Sequence, residues 1–90
     1  LKRKEVISRS LGRVIQKRRK NKDFKQWKLA EEADIDIGYL SQVERGKKNP
    51  TYDMLYRISI ALGTLPSSIS KEVEDEVIEF FSKAANKNKF

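Results

Sequence analysis

Apolar residues recur along most of this chain at helical spacing. Leu11, Val14 and Ile15 open the pattern, with Arg18 in register and Arg13, Gln16, Lys17 and Lys20 on the outer face. Ser8 or Ser10 offers a cap, and Asn21, Lys22 and Asp23 break the pattern, so a first helix ends near Lys20. Phe24 plugs the entry to a second helix over about Lys25–Ala33, where Leu29, Ala30 and Ala33 share one face. Asp34 falls at a turn that asks for a left-handed backbone, Ile35 points inward, and Asp36 caps a third helix from Ile37 to about Arg45. Leu40 and Val43 form its inner face, with Tyr39 at the edge and Gly38, Ser41 and Gln42 on the outer side. Gly46 stops it, and Lys47 to Pro50 form a basic loop. Thr51 caps a fourth helix whose stripe is Leu55, Ile58, Ala61 and Leu62, ending at Gly63. Leu65 to Ile69 reads as a short fifth helix with Pro66 at its start. Ser70 caps a sixth, in which Val73, Val77, Phe80, Phe81 and Ala84 keep one amphipathic face. Acids lead that helix and Lys83 and Lys87 close it, in agreement with its dipole.

This pattern predicts a single all-α domain, which suits a chain of 90 residues with two prolines and four glycines. There is no cysteine and no histidine. Disulfides, thiolate or zinc sites, a histidine general base and a Ser-His-Asp triad are thereby excluded. No apolar run approaches the roughly 20 residues of a membrane span. No secretory signal is visible, and a cytoplasmic protein is expected. No cofactor, metal or small-molecule ligand is expected.

Charge changes the picture further. The net charge is +7, yet residues 1–25 alone hold eleven Lys/Arg against two acids. Clustering of this kind favours a polyanionic partner. The competing reading is that these cations only keep a small domain in solution.

The chain also resembles the Cro/CI-type helix-turn-helix (XRE) family. The matching residues are Leu11-Gly12, Ile15, Arg19, Phe24, Gln26, Leu29-Ala30, Ala33, Tyr39-Leu40-Ser41, Val43-Glu44-Arg45-Gly46, Asn49-Pro50, Leu55, Ile58 and Ala61-Leu62-Gly63. The resemblance implies a five-helix domain that binds DNA, is usually dimeric there, and controls transcription. On this reading residues 1–7 are a basic arm or helix extension, and 8–69 are the helix-turn-helix domain. Residues 70–90 are then an additional C-terminal amphipathic helix.

The third helix is the reading helix in such a domain. Asp36, Ile37, Gly38, Ser41 and Gln42 stand near its leading outer edge and are the candidates for base contact. Gln42 can pair with adenine N6 and N7, Ile37 can meet a thymine methyl, and Gly38 lets the backbone come close. The alternatives are a core position for Ile37 and a solvated amide for Gln42. Ile37 and Gly38 depart from the polar residues many relatives carry there, which shifts weight toward shape and water-mediated readout. Lys25, Gln26, Lys47, Lys48 and Asn49 are the candidates for phosphate contact, which fixes register without reading sequence. By resemblance, Gln26 either bonds a phosphate or braces the reading helix. The resemblance also implies a partly buried ion pair between Arg19 and Glu44, a structural element. Trp27 packs beside helix 1, faces the DNA backbone, or, the favoured reading, is a partly covered surface aromatic.

The C-terminal stripe of Val73, Val77, Phe80, Phe81 and Ala84 either folds back on its own domain or meets its twin in a homodimer. Two linked half-sites gain avidity, which favours the dimer. The function expected is a sequence-specific, homodimeric regulator of transcription on double-stranded DNA, a repressor in sign. The alternative is an antitoxin-like or adaptor module that uses the C-terminal helix, with DNA binding secondary. An enzyme is not expected. The thirteen carboxylates show no evident acid–base or metal pairing, and no glycine-rich phosphate loop occurs.

Overall fold

The computed structural model describes the backbone of residues 2–88 and the side-chain surroundings of residues 2–83. Five helices follow one another: α1 (Arg3–Asn21), α2 (Gln26–Ala33), α3 (Ile37–Glu44), α4 (Tyr52–Ala61) and α5 (Pro66–Asn88). Among the described residues there is no strand.

Local chemistry sets most of the boundaries. Thr51 Oγ1 accepts from the Met54 N–H at 3.2 Å and starts α4. Gly46 and Gly63 take positive φ, 74° and 76°, just beyond the ends of α3 and α4. Two boundaries differ from those expected. α1 begins at Arg3, more than a turn ahead of Ser8. Residues 3–7 contain good helix formers and no breaker, and Val6 is buried and holds this turn to the domain. Ser8 and Ser10 are therefore buried interior positions and not caps.

The second difference is at Ser70. The expected fifth and sixth helices are one continuous helix of 23 residues, and Ser70 lies inside it. Pro66 occupies the first turn, and no glycine or proline follows it in the helix. Ile69 and Val73, one turn apart, both pack on Val14 of α1, so a break at Ser70 would open the core.

The core has two parts. Ile15, Leu29, Ala30, Ala33, Leu40, Val43 and Ile58 join α1, α2, α3 and α4. Val14, Ile69 and Val73 join α1 to α5, and Leu11, Leu55 and Leu62 pack against both clusters. Gly12 makes the α1–α3 crossing possible. A Cβ there would lie 2.5 Å from the Glu44 carbonyl oxygen and 2.6 Å from that of Val43. α1 and α5 run antiparallel: Ser10 meets Glu76, and Arg18 meets Glu72 and Ser68. The molecule measures 49 × 22 × 21 Å. Its long axis fits a helix of α5's length, about 34 Å, with an end that projects past the core.

Candidate nucleic-acid interface

α3 is aimed by the turn before it. Asp34 adopts φ 55°, ψ 51°, and the Ile35 N–H donates to the Ala30 carbonyl at 3.0 Å. This left-handed step reverses the chain after α2. Asp36 returns to extended backbone, and its Oδ2 accepts from the Tyr39 N–H at 3.0 Å. Leu40 and Val43 then sink fully into the core. The opposite edge of α3 is left to solvent. Ile37 is 47% exposed, so it is not a core residue. Gly38 is exposed, and Ser41 and Gln42 are half-buried. A Cβ on Gly38 would lie 2.9 Å from the capping oxygen of Asp36. The carboxylate of Asp36, placed among the base-contact candidates, is thus engaged in holding the helix.

A buried polar brace fixes the far end of α3. Arg19 Nε and Nη2 donate to Glu44 Oε2 and Oε1 at 2.8 and 3.0 Å. Arg19 Nη1 also donates to the Phe24 carbonyl at 2.8 Å. Gln26 Nε2 donates to Glu44 Oε1 at 3.1 Å. One guanidinium therefore ties α1, the entry to α2 and the last residue of α3. Among the described residues, no buried side-chain polar atom lacks a partner. Of the two roles open to Gln26, its side chain here braces α3.

The phosphate candidates lie around this frame. Lys25 is the N-cap residue just before α2, and it is exposed, as are Lys47, Lys48 and Asn49 beyond α3. The Lys47 N–H donates to the Gln42 carbonyl at 2.8 Å, which holds the loop against α3. Lys25, Lys47 and Lys48 have no ion-pair partner among the described residues. Asn49 Oδ1 lies 2.7 Å from Ser8 Oγ, so its side chain is anchored to α1.

Three cations of the N-terminal basic cluster have a different fate. Lys17 and Arg18 reach Glu72 at 3.0 Å, and Arg13 reaches Glu76 at 3.7 Å. Arg18 further donates to the Ser68 and Thr64 hydroxyls at 3.2 and 3.4 Å. The bond from Lys17, with Arg18 beside it, holds the Glu72 carboxyl below its ordinary range against the opposing effect of burial. These cations bind α5, and the expectation that the cluster as a whole faces a polyanion is corrected to that extent. The signal was present in the sequence. Arg13 and Lys17 are four apart in one helix, as are Glu72 and Glu76 in another, and two such ladders fit each other when the helices run antiparallel.

The expected dimer stripe is divided. Val73 is 9% exposed and closes the second core cluster, and Val77 packs against that cluster. These two belong to the domain's own interior. The reason is that α5 is one rod whose first half continues the core packing begun at Ile69. Phe80 and Phe81 remain exposed and meet edge to face, with ring centroids 5.3 Å apart. The side chain of Ala84 lies outside the described residues. Ile78, which sequence reasoning left out, is 63% exposed nearby on α5. Trp27 is 57% exposed on α2, a surface aromatic. No group of acidic side chains among the described residues converges to hold a metal ion.

Comparisons with known proteins agree with this geometry. The helix-turn-helix family model matches residues 15–69. The immunity repressor of Bacillus phage phi105 is 34% identical over 77 residues, which make up 82% of this chain and 54% of the repressor. The chain thus spans about half of that relative's length. The control protein C.MunI of a Mycoplasma species is 36% identical over 66 residues, 72% of this chain and 89% of the control protein. The restriction–modification controller protein C.Esp1396I, solved as a tetramer with its natural 35 base-pair operator, matches with a TM-score of 0.71. It is 27% identical, over 81% of this chain and 95% of that one. No described helix is long and apolar enough to cross a membrane. With the exposed edge of α3, the brace behind it and these likenesses together, the chain belongs to the Cro/CI-type (XRE) helix-turn-helix family of DNA-binding transcription regulators, and not to a family of enzymes.

Proposed function

We infer that this protein is a sequence-specific repressor that binds double-stranded DNA as a homodimer and reads a pseudo-palindromic operator. The observation that carries the reading is the outer edge of α3. Ile37, Gly38, Ser41 and Gln42 are presented there on a helix capped at its start and braced at its end. Lysines without ion-pair partners among the described residues flank that edge.

In this reading Lys25, Lys47, Lys48 and Asn49 bind phosphates and set the register of α3 in the major groove. Gln26 fits a supporting part, because its amide already bonds Glu44. Gln42 pairs with an adenine, Ile37 meets a thymine methyl, and Gly38 lets the helix backbone approach the base edges. Ser41 adds a hydroxyl that donates or accepts. Asp36 shapes the approach through its cap and keeps one carboxylate oxygen for a cytosine amine.

The dimer is supported by the exposed Ile78, Phe80 and Phe81 in the second half of α5, and by the C.Esp1396I tetramer on its operator. Two copies joined there would read half-sites one helical turn apart, about 34 Å. The sign of regulation is taken from the phage repressor it resembles. Binding-site selection with the purified chain, followed by mobility shifts at several salt concentrations, tests the whole reading. The expected outcome is a two-fold-related motif bound with a steep salt dependence. No enriched motif, or binding indifferent to salt, would refute it.

The exposed Ile78, Phe80 and Phe81 of α5 also favour a second reading, a protein-binding module in which DNA contact is secondary. Charge reversal at Lys47 and Lys48 abolishes regulation under the first reading and spares it under the second. Regulation that survives the charge reversal and fails with Phe80→Ala identifies the second.

A further inference from the structure

α1 carries two kinds of cation. In its second half Arg13, Lys17 and Arg18 are matched by the acids of α5. At its N-cap and in its first half Lys2, Arg3, Lys4 and Arg9 are exposed and have no ion-pair partner among the described residues. Glu5 is the one acid in those turns.

The first half of α1 also leans on the loop that follows α3. The contacts move outward in step. Gly12 sits on the carbonyls of Val43 and Glu44. Arg9 packs on Gly46, where a Cβ would lie 2.9 Å from the Arg9 Cα and Cγ. Ser8 meets Asn49 at 2.7 Å. So α1, followed toward its start, tracks the chain from the end of α3 out along the loop. One turn further on the same face stands Lys4, whose carbonyl lies 2.9 Å from Ser8 Oγ. The single Ser8 proton cannot serve Lys4 and Asn49 together. Turning the Asn49 amide over lets its Nδ2 donate to Ser8 while Ser8 donates to Lys4, which locks the loop to the helix.

We propose that the start of α1 is a second phosphate clamp: Lys4 and Arg9, held beside the Lys47–Asn49 loop by the Ser8–Asn49 and Arg9–Gly46 contacts, bind the backbone of the same DNA duplex beyond the phosphates taken by Lys47 and Lys48. This rests on the DNA-binding reading above. Lys4 and Arg9 are about 7.5 Å apart along the helix axis, enough to engage separate phosphates. Because the platform is a helix and not a loose arm, the two charges are positioned before DNA arrives, and little ordering entropy is lost on binding. The positive end of the α1 dipole adds to the same field. Lys2 and Arg3 strengthen it, and Glu5 weakens it.

The test compares two charge-matched double variants of the full chain on a duplex recovered by binding-site selection and on poly(dI-dC). Lys4→Gln with Arg9→Gln removes the clamp. Arg13→Gln with Lys17→Gln removes the same charge from the half of α1 that faces α5. The clamp variant should lower the slope of log affinity against log salt by about two and weaken binding on the order of tenfold, on both duplexes alike. The control should leave the slope within about half a unit of wild type. The charge-keeping variant Lys4→Arg with Arg9→Lys should retain the wild-type slope, and its failure would show a packing effect and overturn the clamp. Equal losses in the two neutralised variants would mean a long-range charge effect and overturn it too. If the clamp variant binds like wild type while Lys47→Ala with Lys48→Ala is impaired, the clamp fails and the DNA reading stands. If wild type shows no salt-dependent binding to any duplex, both fall together.

Discussion

Two faces of this small domain are cationic in sequence and opposite in consequence. Along α1 and α5, Arg13, Lys17 and Arg18 meet Glu72 and Glu76, and their charge is consumed in holding two helices together. Around α2 and α3, Lys25, Lys47 and Lys48 stand exposed without such partners among the described residues. Each face carries three of these cations, and only the first has them matched by acids. Where a polyanion docks is therefore set by which cations the fold leaves uncompensated, and their number along the chain is a poor guide. α5 repeats the lesson with apolar groups. Its first half, Ile69 and Val73, is inside the domain, while Ile78, Phe80 and Phe81 are left outside.

Arg19 joins the two faces, and removing it should have the largest effect. Arg19→Ala leaves Glu44 buried beside a lone amide, so the fold should lose about 3–5 kcal/mol in denaturant melts. DNA binding would then fall through unfolding, although Arg19 itself is nearly covered. A loss of binding at full stability would instead make Arg19 a direct contact.

The two halves of α5 should separate next. Val73→Ala deletes two buried methyls and should destabilise the monomer by roughly 2 kcal/mol. Phe80→Ala should leave the monomer within about 0.5 kcal/mol of wild type and lower the self-association proposed for the wild type, as read by analytical ultracentrifugation. Swapped results would place the division of the stripe elsewhere.

Lys47→Ala with Lys48→Ala should keep the thermal melt of the wild type. It should weaken binding to every duplex and reduce the salt slope by about two. A change confined to one sequence would make these lysines base readers.

The smallest effect concerns the neutralised face. Glu72 has its carboxyl pKa lowered by Lys17 and Arg18, so its stabilising contribution is complete above the ordinary glutamate range. It is lost as pH falls through the lowered value. The pair is part-exposed and its net worth is modest. In denaturant titrations against pH, Glu72→Gln should be slightly less stable than wild type near neutrality and match it in strong acid. A constant difference across that range would remove the ion pair from the account.

The readability of the sequence followed the range of the interaction. Asp34, Asp36, Gly46 and Thr51 act on backbone within a few residues, and the capping and turn rules located them. Arg19 with Glu44, 25 residues apart, came only through resemblance to a family. Ser70 was misread because a serine before acids serves equally as a cap or an interior residue, and the choice lay with Val14 across the core. Val73 and Phe80 share one amphipathic pattern, and periodicity alone cannot say where along the rod its cover ends. The engagement of Asn49 by Ser8 likewise depended on how far α1 extends, which no local signal fixed.

The most direct measurement is the affinity of Gln42→Ala for the selected duplex and for poly(dI-dC), each across a salt series. If α3 enters the groove, affinity for the selected duplex should fall by about 1–3 kcal/mol, binding to poly(dI-dC) should hold, and both salt slopes should stay unchanged. Equal weakening on the two duplexes, or none on either, would contradict a reading helix led by Ile37 and Gln42.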